Sequence, residues 1–216
     1  MRILQRLSQL PALKRFGGII LASALVTTSA HAVEPRLHAD GRTVNSIEPP
    51  ASVTVPESAD YLGSKRWILF GYADCDLQLY ADKDASGTVE RLYWIQSESY
   101  IPSRPELTHA NDYVESRRLK WDGLDFHLDT WTRKLSDAAP ADSDLEQVEK
   151  LVAARGLALP ADMSFVRLVH LPDQAKRKEL MIIYGERRTD TKAEPSESDD
   201  AAVVARMKTA IAVKSR

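Results

Sequence analysis

Cysteine is nearly absent. Cys75 stands alone in 216 residues, so no internal disulfide forms and the fold must rest on its core. Long apolar runs are missing too: no stretch reaches the ~20 consecutive apolar residues of a membrane-spanning helix. No HExxH, GxSxG, Walker loop, CxxC or GxGxxG occurs, so none of the chemistry those spacings support is signalled. Excess positive charge is lacking as well. The first 32 residues hold four of the 29 basic residues and none of the 31 acidic ones, which leaves 25 against 31 and a net charge of −6 for the rest. A mildly acidic surface has no field to gather nucleic acid or anionic lipid.

Those first 32 residues read as an export leader. Arg2, Arg6, Lys14 and Arg15 form a basic start, Phe16 to Val26 is an apolar run too short to span a bilayer, and Ala30-His31-Ala32 is a small-x-small cleavage site. Export to the periplasm or medium is expected, with Val33 as the new N-terminus and no transmembrane segment after cleavage. The remaining 184 residues suffice for one domain with a proper core.

The chain is organised around Val89 to Ile101, a β-branched and aromatic stretch free of Gly and Pro that predicts one long strand. Its alternation sets Arg91, Tyr93, Ile95, Ser97 and Ser99 on one face. Leu92, Trp94, Gln96, Glu98 and Tyr100 lie on the other. Before it, residues 33–60 are rich in Pro, Glu, Ser and Asp and read as an extended surface arm, with Ser52 to Val55 as a short edge strand. Trp67 to Ala73 is continuously apolar, as a strand covered on both faces would be. Residues 76–81 alternate, and 82–87 compose a turn. Its aspartates lack the remaining ligands and the closing Glu of a calcium loop.

Past Pro102 and Pro105, Tyr113 to Trp121 and Leu124 to Arg133 flank Asp122-Gly123, a strong hairpin signal. Ser143 to Glu146 has capping-box spacing, and Leu145, Val148, Leu151 and Val152 recur at helical period, predicting a helix over residues 144–155 closed by Gly156. Met163 to Leu171 and Glu179 to Arg187 are two further strands, the second carrying an apolar run suited to the sheet's centre. Residues 61–188 thus form an α+β domain. A linker over residues 189–198 leads to a C-terminal amphipathic helix within residues 199–216, its stripe running through Val204, Met207 and Ile211. The expected fold is a mostly antiparallel sheet built from hairpins, with both helices on one face. A β-barrel with helices is the alternative. Trp67, Leu69, Phe70, Leu92, Phe126, Ile182 and Ile183 are the expected core.

Two constellations carry chemistry. Trp94, Gln96, Glu98 and Tyr100 place aromatic rings beside amide and carboxylate groups, a combination suited to a small polar ligand. Asp125, His127 and Asp129 share a strand face at i, i+2 and i+4. They would serve as metal ligands or as an oriented general base, or simply form a wet face. Cys75, between Asp74 and Asp76, is expected to be a buried inert thiol, because adjacent carboxylates oppose thiolate formation. His109 in its Pro-bounded loop and His170 near a turn carry no role by sequence alone. The function expected is a non-enzymatic exported module that binds a small polar ligand or a protein partner. The alternative is a hydrolase using Asp125, His127 and Asp129. A third reading is an assembly factor whose C-terminal helix docks on another chain. No cofactor is named by these residues.

Overall fold

The computed structural model describes residues 35–134, 139–189 and 197–216, all within one compact unit, Pro35–Arg216. The leader expected over residues 1–32 lies outside the described residues, as does most of the linker expected over residues 189–198.

Seven strands build the main sheet. They are β4 (Asp60–Leu69), β5 (Ala73–Lys83), β6 (Val89–Tyr100), β7 (Arg117–Trp121), β8 (Leu124–Lys134), β9 (Asp162–His170) and β10 (Lys178–Arg187). Their order is β4-β5-β6-β10-β9-β8-β7 and every pair is antiparallel. Among the described residues no closed barrel forms, and the architecture is α+β with two antiparallel sheets and two helices. The long strand β6 sits near the middle, beside β10, whose residues Glu179 to Gly185 are all buried. Turn chemistry sets the hairpins. Asp84 Oδ1 accepts from the amides of Ser86 and Thr88, and Asp122 and Gly123 both take positive φ, 46° and 83°.

Four expectations need correction. Trp67 to Ala73 is not one central strand. Phe70 and Gly71 adopt φ 46° and 77°, so the apolar run turns there, β4 ends at Leu69 and becomes the sheet's outer edge, and Trp67 and Phe70 are only partly buried. The arm over residues 33–60 is not merely extended. Its described part folds into β1 (Leu37–Asp40), β2 (Thr43–Ser46) and β3 (Ala51–Thr54), and β3 is interior because the chain's last strand, β11 (Ala212–Ser215), pairs with its free side. The C-terminal segment is accordingly helix and then strand. Helix α2 (Glu197–Ala210) stops before β11.

The two helices occupy opposite faces, not one. On the first face, Tyr80, Tyr93, Ile95, Phe126, Leu128, Val166, Leu168, Leu180 and Ile182 pack against the four-stranded sheet through Leu37, Val44, Val53 and Val213. Helix α2 joins the same core through Val203, Met207 and Ile211. On the second face, α1 (Asp144–Ala154) lays Val148 and Val152 over Leu77, Leu79, Trp94, Phe165 and Ile183. Ser143 caps α1 by accepting the Glu146 amide, and Glu146 Oε2 accepts the Asp142 amide. Gly63, at φ 141° in a β4 bulge, leaves room for Leu151, whose Cδ2 lies 3.2 Å from where a Cβ would stand. Helix α1 covers only part of this face. The rest lies under residues 101–116, the connection from β6 to β7.

Candidate functional site

Under that connection the sheet's second face turns polar. Cys75 on β5 pairs in register with Glu98 on β6, and Glu98 with Glu179 on β10. Their exposures are 0%, 5% and 3%. Two carboxylates set directly opposite on neighbouring strands repel each other, and burial magnifies the cost unless a proton or a cation intervenes. A third carboxylate arrives with α1, whose first residue is Asp144. Gln96 Nε2 donates to Asp144 Oδ1 at 3.1 Å, and Gln96 Oε1 accepts from Trp94 Nε1 at 2.8 Å.

The connection supplies the lid groups. The His109 ring stacks on Tyr100 at 4.4 Å between centroids. Its Nδ1 lies 3.1 Å from Asp112 Oδ2 and 3.5 Å from Glu179 Oε2. Nδ1 faces these two carboxylates, and Nε2 is buried with no hydrogen-bond partner among the described residues. Tyr113 donates its hydroxyl to Glu179 Oε2 at 2.7 Å. Arg177 fastens the connection from below, donating to the carbonyls of Arg104, Pro105, Leu107 and Ile101, while the His109 amide donates to Lys176 O at 2.8 Å.

The donor atoms converge. Cys75, Glu98 and Asp144 each offer one within 4.8 Å of the others, and so do Glu98, His109 and Glu179. Glu98 belongs to both groups. Burial, then the charges of Glu179 and Asp144, hold the Glu98 carboxyl well above the ordinary carboxylate range. Burial also pushes Asp144 up to about 6; the Gln96 hydrogen bond opposes this, Glu179 adds to it and Arg167 opposes it. The Cys75 thiol is raised by burial first and then by Glu98 and Asp144. Arg167, whose charge reaches Asp144, is itself committed to Asp129 at 2.6 Å. Without a further cation this cluster holds protons. With one, it presents oxygen, nitrogen and sulfur donors together, a mixture that suits a divalent transition metal.

All four residues expected on one β6 face meet here: Glu98 at the centre, Tyr100 beneath His109, and Trp94 and Gln96 as the relay to Asp144. Asp125, His127 and Asp129 share their strand face but have separate surroundings. Asp125 is exposed, and Asp129 pairs with Arg167. His127 Nε2 accepts from Arg118 at 2.9 Å, which leaves the proton on Nδ1, facing Ser116 Oγ at 2.8 Å and the Tyr113 carbonyl at 3.2 Å. Burial and then the Arg118 charge depress its pKa. The sulfur's neighbours also differ from expectation. Asp76 points to the other face, where it accepts the amides of Arg36 and Leu37, and Asp74 pairs with Arg36 and Arg66. The carboxylates that act on Cys75 come from β6 and α1.

Sequence reasoning missed Cys75, His109, Tyr113, Asp144 and Glu179 as members of one site. One signal was there to read: Glu179 opens the apolar run of β10, as Glu98 closes that of β6, and an acid on an otherwise buried central strand is rarely left unpaired. Comparison with protein-family models, with curated proteins and with solved structures finds no match for this chain.

Proposed function

We propose that this protein is an exported binding module whose ligand is a divalent metal ion, seated between Glu98, His109 and Glu179 with Cys75 and Asp144 alongside. The observation that carries this reading is the buried pair Glu98 and Glu179, cross-strand neighbours whose donor atoms lie within 4.8 Å of one another and of a ring nitrogen of His109. A metal ion relieves the carboxylate repulsion and accepts a ring-nitrogen lone pair of His109 at once. The leader-like residues 1–32 support export, and the missing catalytic motifs favour binding over turnover.

Calorimetry on metal-free protein beginning at Val33, titrated with zinc, manganese and calcium, tests the reading. Saturable binding of at least one ion is expected, with loss of binding in His109→Ala and Glu98→Gln while their circular dichroism stays native. Negligible heats for every ion with folded wild-type protein would remove it. Mass spectrometry of exported material should find an N-terminus at or within a few residues of Val33.

A further inference from the structure

Resting on that metal-binding reading, we infer that Cys75 is itself a ligand, so that the site selects a thiolate-accepting ion of the zinc class over calcium or magnesium. The geometry is already that of a coordinated pair. Cys75 Sγ lies 3.6 Å from Glu98 Oε2. A tetrahedral ion bonded to sulfur at ~2.3 Å and to a carboxylate oxygen at ~2.1 Å holds those two atoms about 3.6 Å apart. An ion placed there needs no movement of β5 or β6, whose residues Cys75 and Glu98 are locked in register.

The sulfur does not make this case alone. Glu98, the residue Cys75 touches, is shared with the group that contains His109, a side chain 4% exposed whose Nε2 has no partner among the described residues. Sulfur and imidazole nitrogen are poor ligands for calcium and magnesium, which take oxygen, and good ones for zinc, cobalt and copper. Ion uptake exchanges the S–H proton for a metal–sulfur bond, and the proton leaves to solvent. Asp144, which offers an oxygen within 4.8 Å of donor atoms of Cys75 and Glu98 and is held by Gln96, stands ready as a further oxygen donor. In the metal-free protein the S–H group donates to Glu98 instead.

Cobalt(II) is the probe, added to metal-free full-length mature protein, because a cobalt–thiolate bond gives a sulfur-to-metal charge-transfer band in the near ultraviolet. Wild type is expected to show the band. Cys75→Ser is expected to lose it and to bind cobalt at least ~10-fold more weakly, still through Glu98, His109 and Glu179. Cobalt bound by wild type without the band, or a band that survives Cys75→Ser, overturns the inference and leaves the metal-binding reading standing. Binding of neither cobalt, zinc, manganese nor calcium overturns both. The wild-type spectrum decides even where the variant does not fold, and Cys75→Ala provides a second sulfur-free chain.

Discussion

Two of the covers on the seven-stranded sheet bury different things. Where α2 and the four-stranded sheet meet it, the core is apolar from Leu37 through Phe126 to Val213. Where residues 101–116 meet it, the buried groups are Cys75, Glu98, His109 and Glu179. The strands are the same, β5, β6 and β10, presenting alternate residues. The first is wholly stabilising; the second, beside the apolar patch under α1, spends part of that stability to hold acids out of water. A polar cluster of this kind persists only on a platform that the opposite face keeps rigid, which is also what a site with fixed ligand geometry requires.

Removing the apolar cover should have the largest effect. A chain ending at Arg188 loses α2 and β11, and with them the burial of Val203, Met207, Ile211 and Val213. At ~1.5–3 kcal/mol per fully buried side chain, the loss is about 6–12 kcal/mol, comparable to the whole stability of a domain. That chain should fail to melt cooperatively and should bind an apolar dye. A wild-type-like melt would show that this face is not where stability resides. Next, Phe126→Ala, at a side chain with no exposure, should cost about 3–5 kcal/mol in urea unfolding.

The polar face should behave in the opposite sense. Glu98 and Asp144 hold protons more tightly in the folded chain than in the unfolded one. Between their ordinary values and their raised ones the folded state therefore carries the extra protons, and metal-free stability falls as pH rises through that window. For Asp144 the window runs from 3.8 to about 6, a contribution of roughly 1–3 kcal/mol. Glu98→Gln removes one buried acid and eases the other. Melting of the metal-free proteins at pH 5 and pH 8 should therefore show wild type losing more than Glu98→Gln, and the variant more stable at pH 8. Parallel losses would mean the cluster costs nothing. The smallest effect belongs to Phe70→Ala. Partly buried in the turn between β4 and β5, it should cost about 1 kcal/mol, against the ~3–5 kcal/mol a core phenylalanine would lose.

That last contrast shows where a sequence misleads. Trp67 to Ala73 is as apolar as any central strand, yet Gly71 supplies the positive φ that breaks it. The run Leu180 to Tyr184 has similar composition and does lie at the centre, because no turn residue interrupts it. The site was half legible. Trp94, Gln96, Glu98 and Tyr100 follow from the two-residue period of one strand. Cys75 and Glu179 belong to neighbouring strands, and His109 reaches the site from a loop whose course is fixed by carbonyls bonded to Arg177.

The local elements follow from nearby residues alone: the long β6, the Asp122-Gly123 hairpin and the capped α1 are each set by side-chain period, turn residues or a cap within a few positions. The single cysteine likewise excludes an internal disulfide. Pairing partners and faces depend instead on contacts between distant parts of the chain. Residues 35–60 became sheet because β11, some 160 residues later, completes β3, and the helices took opposite faces because each found a different apolar surface. The candidate site belongs to this second class. Cys75, Glu98, His109, Asp144 and Glu179 span more than 100 residues of chain, and what joins them is strand register, which depends on burial summed over the whole sheet and not on any local signal.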